Sequence, residues 1–270
     1  MYSLKNIAML GILAGTLIVS GCDPKEQDPN HIKVGVSAGA EYQVAEVAKK
    51  VAKEKYGLDV ELVNFDNYVL PNEALSKGDI DVNVFQHQPY LDQQIKDRGY
   101  KLVSVGNTFI YPMAAYSKKI NTLAALPDSA QVAIPNDPTN LGRALLLLQK
   151  AGLITLKEGT GLHPTSLDIV SNPKNIKIIE LEAPQLPHSL DDPQIALAVI
   201  NTTYASQIGF TPAKNGIFTE DKDSPYVNII VAREDNKDAE NVKKFVKAYQ
   251  SDEVYQAADH IFEGGAVRMW

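Results

Sequence analysis

Arg143 has the chemistry to bind a carboxylate, and its place in the sequence favours that role. Thr139 or Asn140 can cap a helix that begins near Leu141, so Arg143 is predicted to lie in the first turn of that helix. The free N–H groups and the positive dipole end of a helix N-terminus also suit an anion, and a guanidinium adds a bidentate fork. The pattern alone fits a surface arginine equally well, because the dipole only slightly disfavours a cation there.

Two asparagines lie at or inside predicted strands, where this residue type is depleted. Asn201 follows the apolar run 195–200, and Asn228 lies within a predicted strand over 226–231. A buried amide must find hydrogen-bond partners, and α/β folds bind ligands at the carboxyl edge of the sheet. Either asparagine can instead cap a turn, so both are candidates for a polar site and neither is assigned by the pattern alone.

An aromatic cluster falls within 23 positions and comprises Tyr68, Phe85, His87 and Tyr90. Residues 85–89 follow a predicted strand and end in a proline, which predicts a strand-end loop at the place where a cleft forms. Polarizable rings suit a thioether, since contacts between sulfur and an aromatic ring are modestly favourable. By pattern alone Phe85 fits a core residue better, and His87 fits an ordinary hydrogen-bonded histidine as well.

Catalytic and metal-binding patterns are weak in this chain. Residues 35–39 match G-x-S-x-G around Ser37, but a nucleophile elbow needs an earlier strand–helix loop to complete its oxyanion hole, and only a polar leader precedes this one. Small residues at a tight strand–helix turn explain the match more simply. The five histidines show no H-x-H or H-E-x-x-H spacing, and no P-loop or G-x-G-x-x-G occurs, so no metal or cofactor is expected.

The N-terminus has the pattern of an export signal that ends in a lipid acceptor. Lys5 precedes an apolar stretch over 7–19 that is too short to span a bilayer, and small residues then lead to Cys22, the only cysteine. This resembles the bacterial lipobox, which predicts a signal at 1–21, acylation of Cys22 and a polar tether over 22–30. Several acyl chains hold a protein at a membrane stably. By analogy with such lipoproteins, Asp23 implies retention at the inner membrane.

Composition narrows the partners further. Removal of the signal with Lys5 takes the formal net charge from −7 to −8, and no basic run occurs, so no nucleic-acid partner is expected. With Cys22 acylated, no thiol remains for a disulfide, so the remaining ~240 residues must be stabilised by their core, which such a length allows.

The predicted elements that position these residues alternate between strands and helices, which favours an α/β fold. The strands are predicted at 31–36, 60–63, 82–85, 102–105, 113–116, 131–135, 176–181, 195–200 and 227–231, and the helices at 41–56, 72–77, 90–98, 141–150 and 239–258. Two lobes joined by two crossing strands fit this order, with 31–111 and 229–270 in the first lobe and 112–228 in the second. A single larger α/β domain remains the alternative.

Several stretches taken together resemble the methionine-binding lipoproteins of ABC importers, including their NlpA-type paralogues. The likeness covers essentially all of the chain after the signal, and the stretches that carry it are 69–75, 78–87, 135–143, 182–187, 201–204 and 224–228. It implies a type II periplasmic-binding-protein fold. It also implies that the protein lies on the periplasmic side of the inner membrane and delivers methionine to a permease with its ATPase.

The resemblance also implies roles for individual residues. Arg143 would bind the ligand carboxylate, and Asn201 and Asn228 would contact the ligand. Asn140 is a further predicted ligand contact, and the cluster of Tyr68, Phe85, His87 and Tyr90 is predicted to hold the ligand side chain. The alternatives are a diverged paralogue with a related amino-acid or peptide ligand, a lipid-tethered hydrolase that uses Ser37, and a surface interaction lipoprotein without a small ligand.

Overall fold

Two five-stranded sheets organise the protein, whose computed structural model describes residues 28–270. Residues 1–27, with the predicted signal and Cys22, lie outside the described residues. The strands are β1 His31–Ser37, β2 Asp59–Phe65, β3 Val82–His87, β4 Leu102–Asn107, β5 Phe109–Ile110, β6 Ala114–Tyr116, β7 Gln131–Pro135, β8 Thr155–Leu156, β9 Ile169–Ser171, β10 Lys177–Leu181, β11 Ile195–Ile200, β12 Phe218–Thr219, β13 Asn228–Arg233 and β14 Val267–Arg268. The helices are α1 Ala40–Tyr56, α2 Leu70–Lys77, α3 Gln88–Arg98, α4 Pro138–Lys150, α5 Leu186–Ser189, α6 Thr202–Gln207, α7 Pro212–Asn215, α8 Glu240–Tyr249 and α9 Asp252–Ile261.

The first sheet has the order β2-β1-β3-β13-β4. β1 pairs in parallel with β2 and β3, and the crossover from β1 to β2 is α1, as the β-α-β pattern predicts. β13 returns from the distant C-terminal part of the chain and pairs antiparallel with both β3 and β4. This sheet therefore joins residues that are widely separated in the sequence.

The second sheet has the order β10-β7-β11-β6-β12. β7 pairs in parallel with β10 and β11, while β6 pairs antiparallel with β11 and β12. α4 follows β7 directly, so the carboxyl end of that strand and the N-terminus of the helix lie at the same edge. Asn201 follows β11 at the same edge, as expected for parallel strands.

Each sheet is covered by apolar side chains on both faces, which explains why β11 is a continuous apolar run. In the first lobe, α1, α8 and α9 pack on one face, and Val44, Phe245 and Val254 are fully buried there. In the second lobe, Leu145 and Leu148 of α4 pack against β7 and β11. Burial of each such side chain contributes about 1.5–3 kcal/mol, so each sheet has a core of its own.

The chain passes between the two sheets twice, through residues 111–113 and 220–227. Neither segment is a strand, so the predicted pair of crossing strands is wrong in that detail, although the strands next to the crossings, β6 and β13, are found. Two sheets, each with its own core, give the two-lobed periplasmic-binding fold. None of the helices in residues 28–270 is long and apolar enough to cross a membrane.

Most predicted elements are confirmed within a few residues, and two differ in kind. The single helix predicted over 239–258 is two helices, α8 and α9, because Ser251 adopts an extended conformation and its hydroxyl accepts a hydrogen bond from the N–H of Val254. The loop predicted at 85–89 is also wrong. β3 continues through His87, and α3 begins at Gln88 with Pro89 in its first turn, where a proline is well tolerated.

Candidate functional site

A cavity lies between the two lobes at the carboxyl ends of β3, β7 and β11. The cavity is lined by Tyr68, Phe85, Gln86, His87, Tyr90, Tyr111, Asn140, Arg143, Asn201, Thr202, Thr203 and Asn228. All eight residues predicted as ligand contacts are therefore brought together in one place.

Arg143 is buried, with 4% of its surface exposed, and it is held by both segments that cross between the lobes. Its Nε donates to Glu220 Oε1 at 2.9 Å, and its Nη2 donates to Glu220 Oε2 and to the carbonyl of Tyr111 at 3.0 Å. The guanidinium carbon lies 4.5 Å from the centre of the Tyr226 ring. These contacts occupy Nε and Nη2, so Nη1 is the nitrogen left to meet a ligand.

The predicted start of the helix that carries Arg143 is wrong by three residues. The cap is Asp137, which accepts the N–H of Asn140 at 3.0 Å, and Pro138 is the first helical residue. Arg143 therefore lies in the second turn of α4 and not in the first. Its charge is balanced by Glu220.

Asn140 links the two lobes through its side chain. Its Oδ1 accepts from Asn201 Nδ2 at 2.8 Å and faces Nε2 of His87 at 3.2 Å, while its Nδ2 donates to both carboxylate oxygens of Asp137. The carboxylate and the helix start therefore fix the orientation of this amide. His87 comes from the first sheet and Asn201 from the second, so Asn140 holds both sides of the cavity at its polar end.

His87 is neutral, and its surroundings define its tautomer. Burial, together with the nearby charge of Arg143, lowers the pKa of His87 to about 3. Its Nδ1 accepts the N–H of Tyr90 at 3.1 Å, so its Nε2 carries the proton and donates to Asn140. The side chain thus caps α3 and orients a second cavity residue, and neither function requires charge.

Asn201 presents an unused acceptor to the cavity. Its Oδ1 is buried, and it has no hydrogen-bond partner among the described residues, whereas its Nδ2 is bound to Asn140. A buried polar atom without a partner costs about 1–3 kcal/mol, so a ligand N–H that reaches it gains that much. Asn228 lies opposite as the first residue of β13, rather than inside the strand as predicted, because the strand begins two residues later than expected.

Three aromatic rings form the apolar end of the cavity. The centroids of Tyr68, Phe85 and Tyr90 lie 5.8–6.0 Å apart, and the hydroxyl of Tyr90 donates to the carbonyl of Tyr68 at 3.0 Å. Tyr204 from the second lobe packs on Tyr68 at 4.9 Å. The rings therefore make a polarizable wall of the cavity.

Several important residues were not singled out from the sequence. Glu220 lies in the polar run 220–223, which has the composition of a solvated turn, and its partner Arg143 is 77 residues away. Asn72 and Asn83 form a buried amide network with Gln86, which lines the cavity. Two asparagines or glutamines inside one short strand were the available signal for that network, because strands are depleted in asparagine.

The G-x-S-x-G turn has a role in packing. Gly39 has φ 92°, a conformation that favours glycine, and a Cβ there would lie 3.1 Å from Cγ of Gln207 in the second lobe. The side chain of Gln207 also donates to the carbonyl of Ala38 at 3.4 Å. The small residues of this motif thus let α6 approach the start of α1. Among residues 28–270, no histidine is hydrogen-bonded to Ser37.

A two-lobed α/β fold with a cavity between the lobes defines the class of the protein, which is a substrate-binding protein of the periplasmic type. The chain belongs to the NlpA lipoprotein family, whose family model matches residues 32–270. Among curated relatives, the D-methionine-binding lipoprotein MetQ of Salmonella typhimurium is 77% identical over 269 residues, covering 100% of this chain and 99% of that protein. Lipoprotein 28 of Escherichia coli K12 is 63% identical, covering 96% of this chain and 95% of that protein.

Solved structures agree with the family. The crystal structure of the methionine binding protein MetQ has a TM-score of 0.89 and 79% identity, covering 90% of this chain and 99% of that one. A nutrient binding protein from Burkholderia cenocepacia bound to methionine has a TM-score of 0.86 and 52% identity, covering 88% of this chain and 100% of that one. A periplasmic substrate-binding protein of an ABC transporter from Coxiella burnetii has a TM-score of 0.85 and 50% identity, covering 88% of this chain and 100% of that one. The relatives are thus named as binding proteins and lipoproteins.

Proposed function

We propose that the chain captures methionine in the cavity between its lobes and delivers it to the permease and ATPase of an ABC importer. The observation that carries the proposal is the arrangement of one buried guanidinium, one unused amide oxygen and three aromatic rings around a single cavity. These groups complement a carboxylate, an ammonium group and a thioether, in that order. The names of the relatives at 77% and 52% identity support methionine as the ligand.

The carboxylate of the ligand binds Nη1 of Arg143 in this proposal. Glu220 already neutralises most of the arginine charge, so the ligand completes a network of charge-assisted hydrogen bonds in a site that excludes water. The ammonium group donates to Oδ1 of Asn201, with Asn228 as a second contact. The thioether lies against the rings of Tyr68, Phe85 and Tyr90.

Arg143 couples the ligand to the hinge. Its partners Tyr111 and Glu220 belong to the two crossing segments, and Glu220 Oε2 also accepts the N–H of Met113 at 3.1 Å. A ligand bound to Arg143 is therefore held where the lobes are joined, which favours the closed arrangement. We place the lobe boundaries at 31–111 with 229–270 and at 112–228.

Delivery uses the membrane anchor in this proposal. Acylation of Cys22 would hold the protein at the periplasmic side of the inner membrane, which Asp23 favours. The tether over 22–30 then confines the receptor near its permease and raises its effective concentration there. The family supports a lipoprotein, and the anchor itself lies outside the described residues.

Calorimetric titration of the full chain tests the ligand. We expect one binding site per chain for L-methionine, and D-methionine tested beside it shows whether the cavity accepts both stereoisomers. Leucine, which lacks the sulfur, and methionine methyl ester, which lacks the carboxylate, are the matched control ligands. Equal affinity for the ester would contradict the carboxylate site at Arg143, and no binding of either methionine would contradict the proposed function.

A further inference from the structure

Glu41 connects the two lobes beside the cavity without lining it. It lies in the first turn of α1 in the first lobe, and its Oε1 accepts a hydrogen bond from the hydroxyl of Thr203 in α6 of the second lobe. Glu41 is 3% exposed and Thr203 is 5% exposed, and Thr203 lines the cavity. The contact is therefore buried, and it exists only while the lobes are together.

The groups that face Glu41 supply no positive charge. They are four tyrosines from different parts of the fold, namely Tyr68, Tyr111, Tyr204 and Tyr249. Burial raises the pKa of each of these tyrosines, so all four are neutral phenols at ordinary pH. Among the described residues, no lysine, arginine or histidine pairs with Glu41.

A buried carboxyl without a cation retains its proton. Burial raises the pKa of Glu41 to about 8, and the hydrogen bond from Thr203 lowers it only in part. Separation of the lobes would withdraw Thr203 and admit water to Glu41, which would return its pKa toward the ordinary value of 4.5.

We propose that Glu41 is a positioning residue for ligand capture, which takes up one proton as the lobes close and holds the cavity wall through Thr203. The inference rests on the proposed function, because closure is driven by the ligand. The group has a higher pKa in the closed state, so ligand affinity is greatest at low pH and falls as pH rises toward and through about 8. Between pH 4.5 and about pH 8, which are the two pKa values of Glu41, the dissociation constant of the ligand rises up to tenfold per pH unit.

One other titrating group faces the cavity and acts in the opposite direction. The pKa of His87 is lowered to about 3 in the closed state, so below about 6.5 its burial would release a proton. At pH 7 an imidazole of ordinary pKa is about one-quarter protonated, so closure releases about 0.2 proton from His87 there and almost none at pH 8. The difference in proton uptake between the wild type and a Glu41 variant is therefore assigned to Glu41.

The test counts protons by calorimetry of the full chain in detergent, after exchange into ligand-free buffer. L-Methionine is titrated at pH 7 and pH 8 in two buffers of different ionisation enthalpy. A closed-state pKa of about 8 gives uptake by Glu41 of about 0.9 proton at pH 7 and about 0.5 at pH 8, and release from His87 reduces the net uptake to about 0.7 at pH 7. Affinity should then be about fourfold weaker at pH 8. Glu41→Gln, a neutral side chain of the same shape, should take up no proton and keep only the small pH dependence of His87.

Glu46→Gln is the matched control, because Glu46 is an exposed glutamate on the same helix, and its proton uptake should equal that of the wild type. Binding without proton uptake in the wild type, or unchanged uptake in Glu41→Gln, would overturn the inference and leave the proposed function standing. Absence of any methionine binding would instead contradict the proposed function, and the inference would fall with it.

Discussion

At the scale of single residues, the ion pair of Arg143 and Glu220 joins the proposed ligand contact to the stability of the fold. The Arg143 side chain is 4% exposed and the Glu220 side chain 13% exposed, so water reaches neither charge well and each is compensated by the other. Removal of one partner from a buried pair leaves an unpaired charge, which costs about 3–5 kcal/mol. The effects of Arg143 on ligand affinity and on folding therefore have to be separated by experiment.

Arg143→Ala should weaken methionine binding at least about 100-fold, because the ligand carboxylate loses its charge-assisted hydrogen bond. It should also lower the free energy of unfolding by about 3 kcal/mol, since Glu220 stays buried without a cation. Arg143→Ala combined with Glu220→Ala should recover most of the stability and none of the affinity. Calorimetry and urea denaturation measure the two quantities, and recovery of affinity in the double variant would contradict the assignment.

Asn201→Ala should lower methionine affinity while changing the stability of the fold little. Its Oδ1 has no partner among the described residues, so the ligand-free protein loses little, and we expect a change of less than about 1 kcal/mol in the free energy of unfolding. Methionine affinity should fall at least about tenfold, because the ligand ammonium loses an acceptor.

Asn241→Ala is the matched control for this variant. Asn241 is a buried asparagine whose Nδ2 donates to the carbonyl of His31 at 2.8 Å and whose Oδ1 accepts the N–H of Val242 at 2.9 Å. Its loss should cost about 1–2 kcal/mol of stability and leave affinity unchanged. If both variants lost affinity equally, Asn201 would have no special contact with the ligand.

At the scale of secondary-structure elements, the start of α4 shows how a cap can serve a binding site. Asp137 accepts the N–H of Asn140, as a helix cap does, and its two carboxylate oxygens also accept from the Asn140 side chain. Asn140 in turn contacts His87 and Asn201. The same carboxylate thus stabilises the helix and orients the amide that joins the lobes.

Asp137→Ala should cost about 1 kcal/mol of stability through the lost cap and should also weaken methionine binding, because the Asn140 side chain is released. Asp137→Asn keeps an acceptor for the N–H and should restore most of the stability. Ser251→Ala, which removes the cap of α9 far from the cavity, is the control and should lower stability without a change in affinity. Equal affinity in all three variants would argue against the orienting role of Asp137.

Sequence periodicity predicts the elements well where the pattern is strong, as in α1 and β11. It does not reveal the break between α8 and α9, because the apolar spacing continues across Gln250 and Ser251. The break depends on a local hydrogen bond, in which the Ser251 side chain accepts the N–H of Val254. The type and spacing of Arg143, Asn201 and the aromatic cluster identify most of the cavity wall. Glu220 and Glu41 escape notice, since each depends on a partner that only the tertiary structure brings near.

At the scale of the whole molecule, the two lobes are joined by segments that cavity-lining residues contact directly. Arg143 binds the carbonyl of Tyr111 in one segment and Glu220 in the other, and the hydroxyl of Thr202 donates to the carbonyl of Pro112 at 2.6 Å. The same hydrogen bonds therefore connect the cavity wall to both segments that join the lobes. The family resemblance predicts the two lobes, whereas these contacts across the hinge appear only once the chain is folded.

The anchor is tested apart from the fold. Labelled palmitate should enter the wild-type protein, and Cys22→Ala should release it from the membrane fraction while methionine binding stays unchanged, because the cavity lies in residues 68–228. Membrane fractionation with calorimetry on the released protein makes both measurements. A Cys22→Ala protein that stays membrane-bound would contradict lipid anchoring at this residue.

The central claim is that methionine occupies the cavity between the lobes. The most direct test is a crystal structure of the chain, produced with ordinary methionine and crystallised with free selenomethionine. Anomalous scattering should give one selenium peak in the cavity, against the rings of Tyr68, Phe85 and Tyr90, with the ligand carboxylate at Arg143. An empty cavity at saturating ligand, or a selenium peak only elsewhere on the protein, would contradict the account.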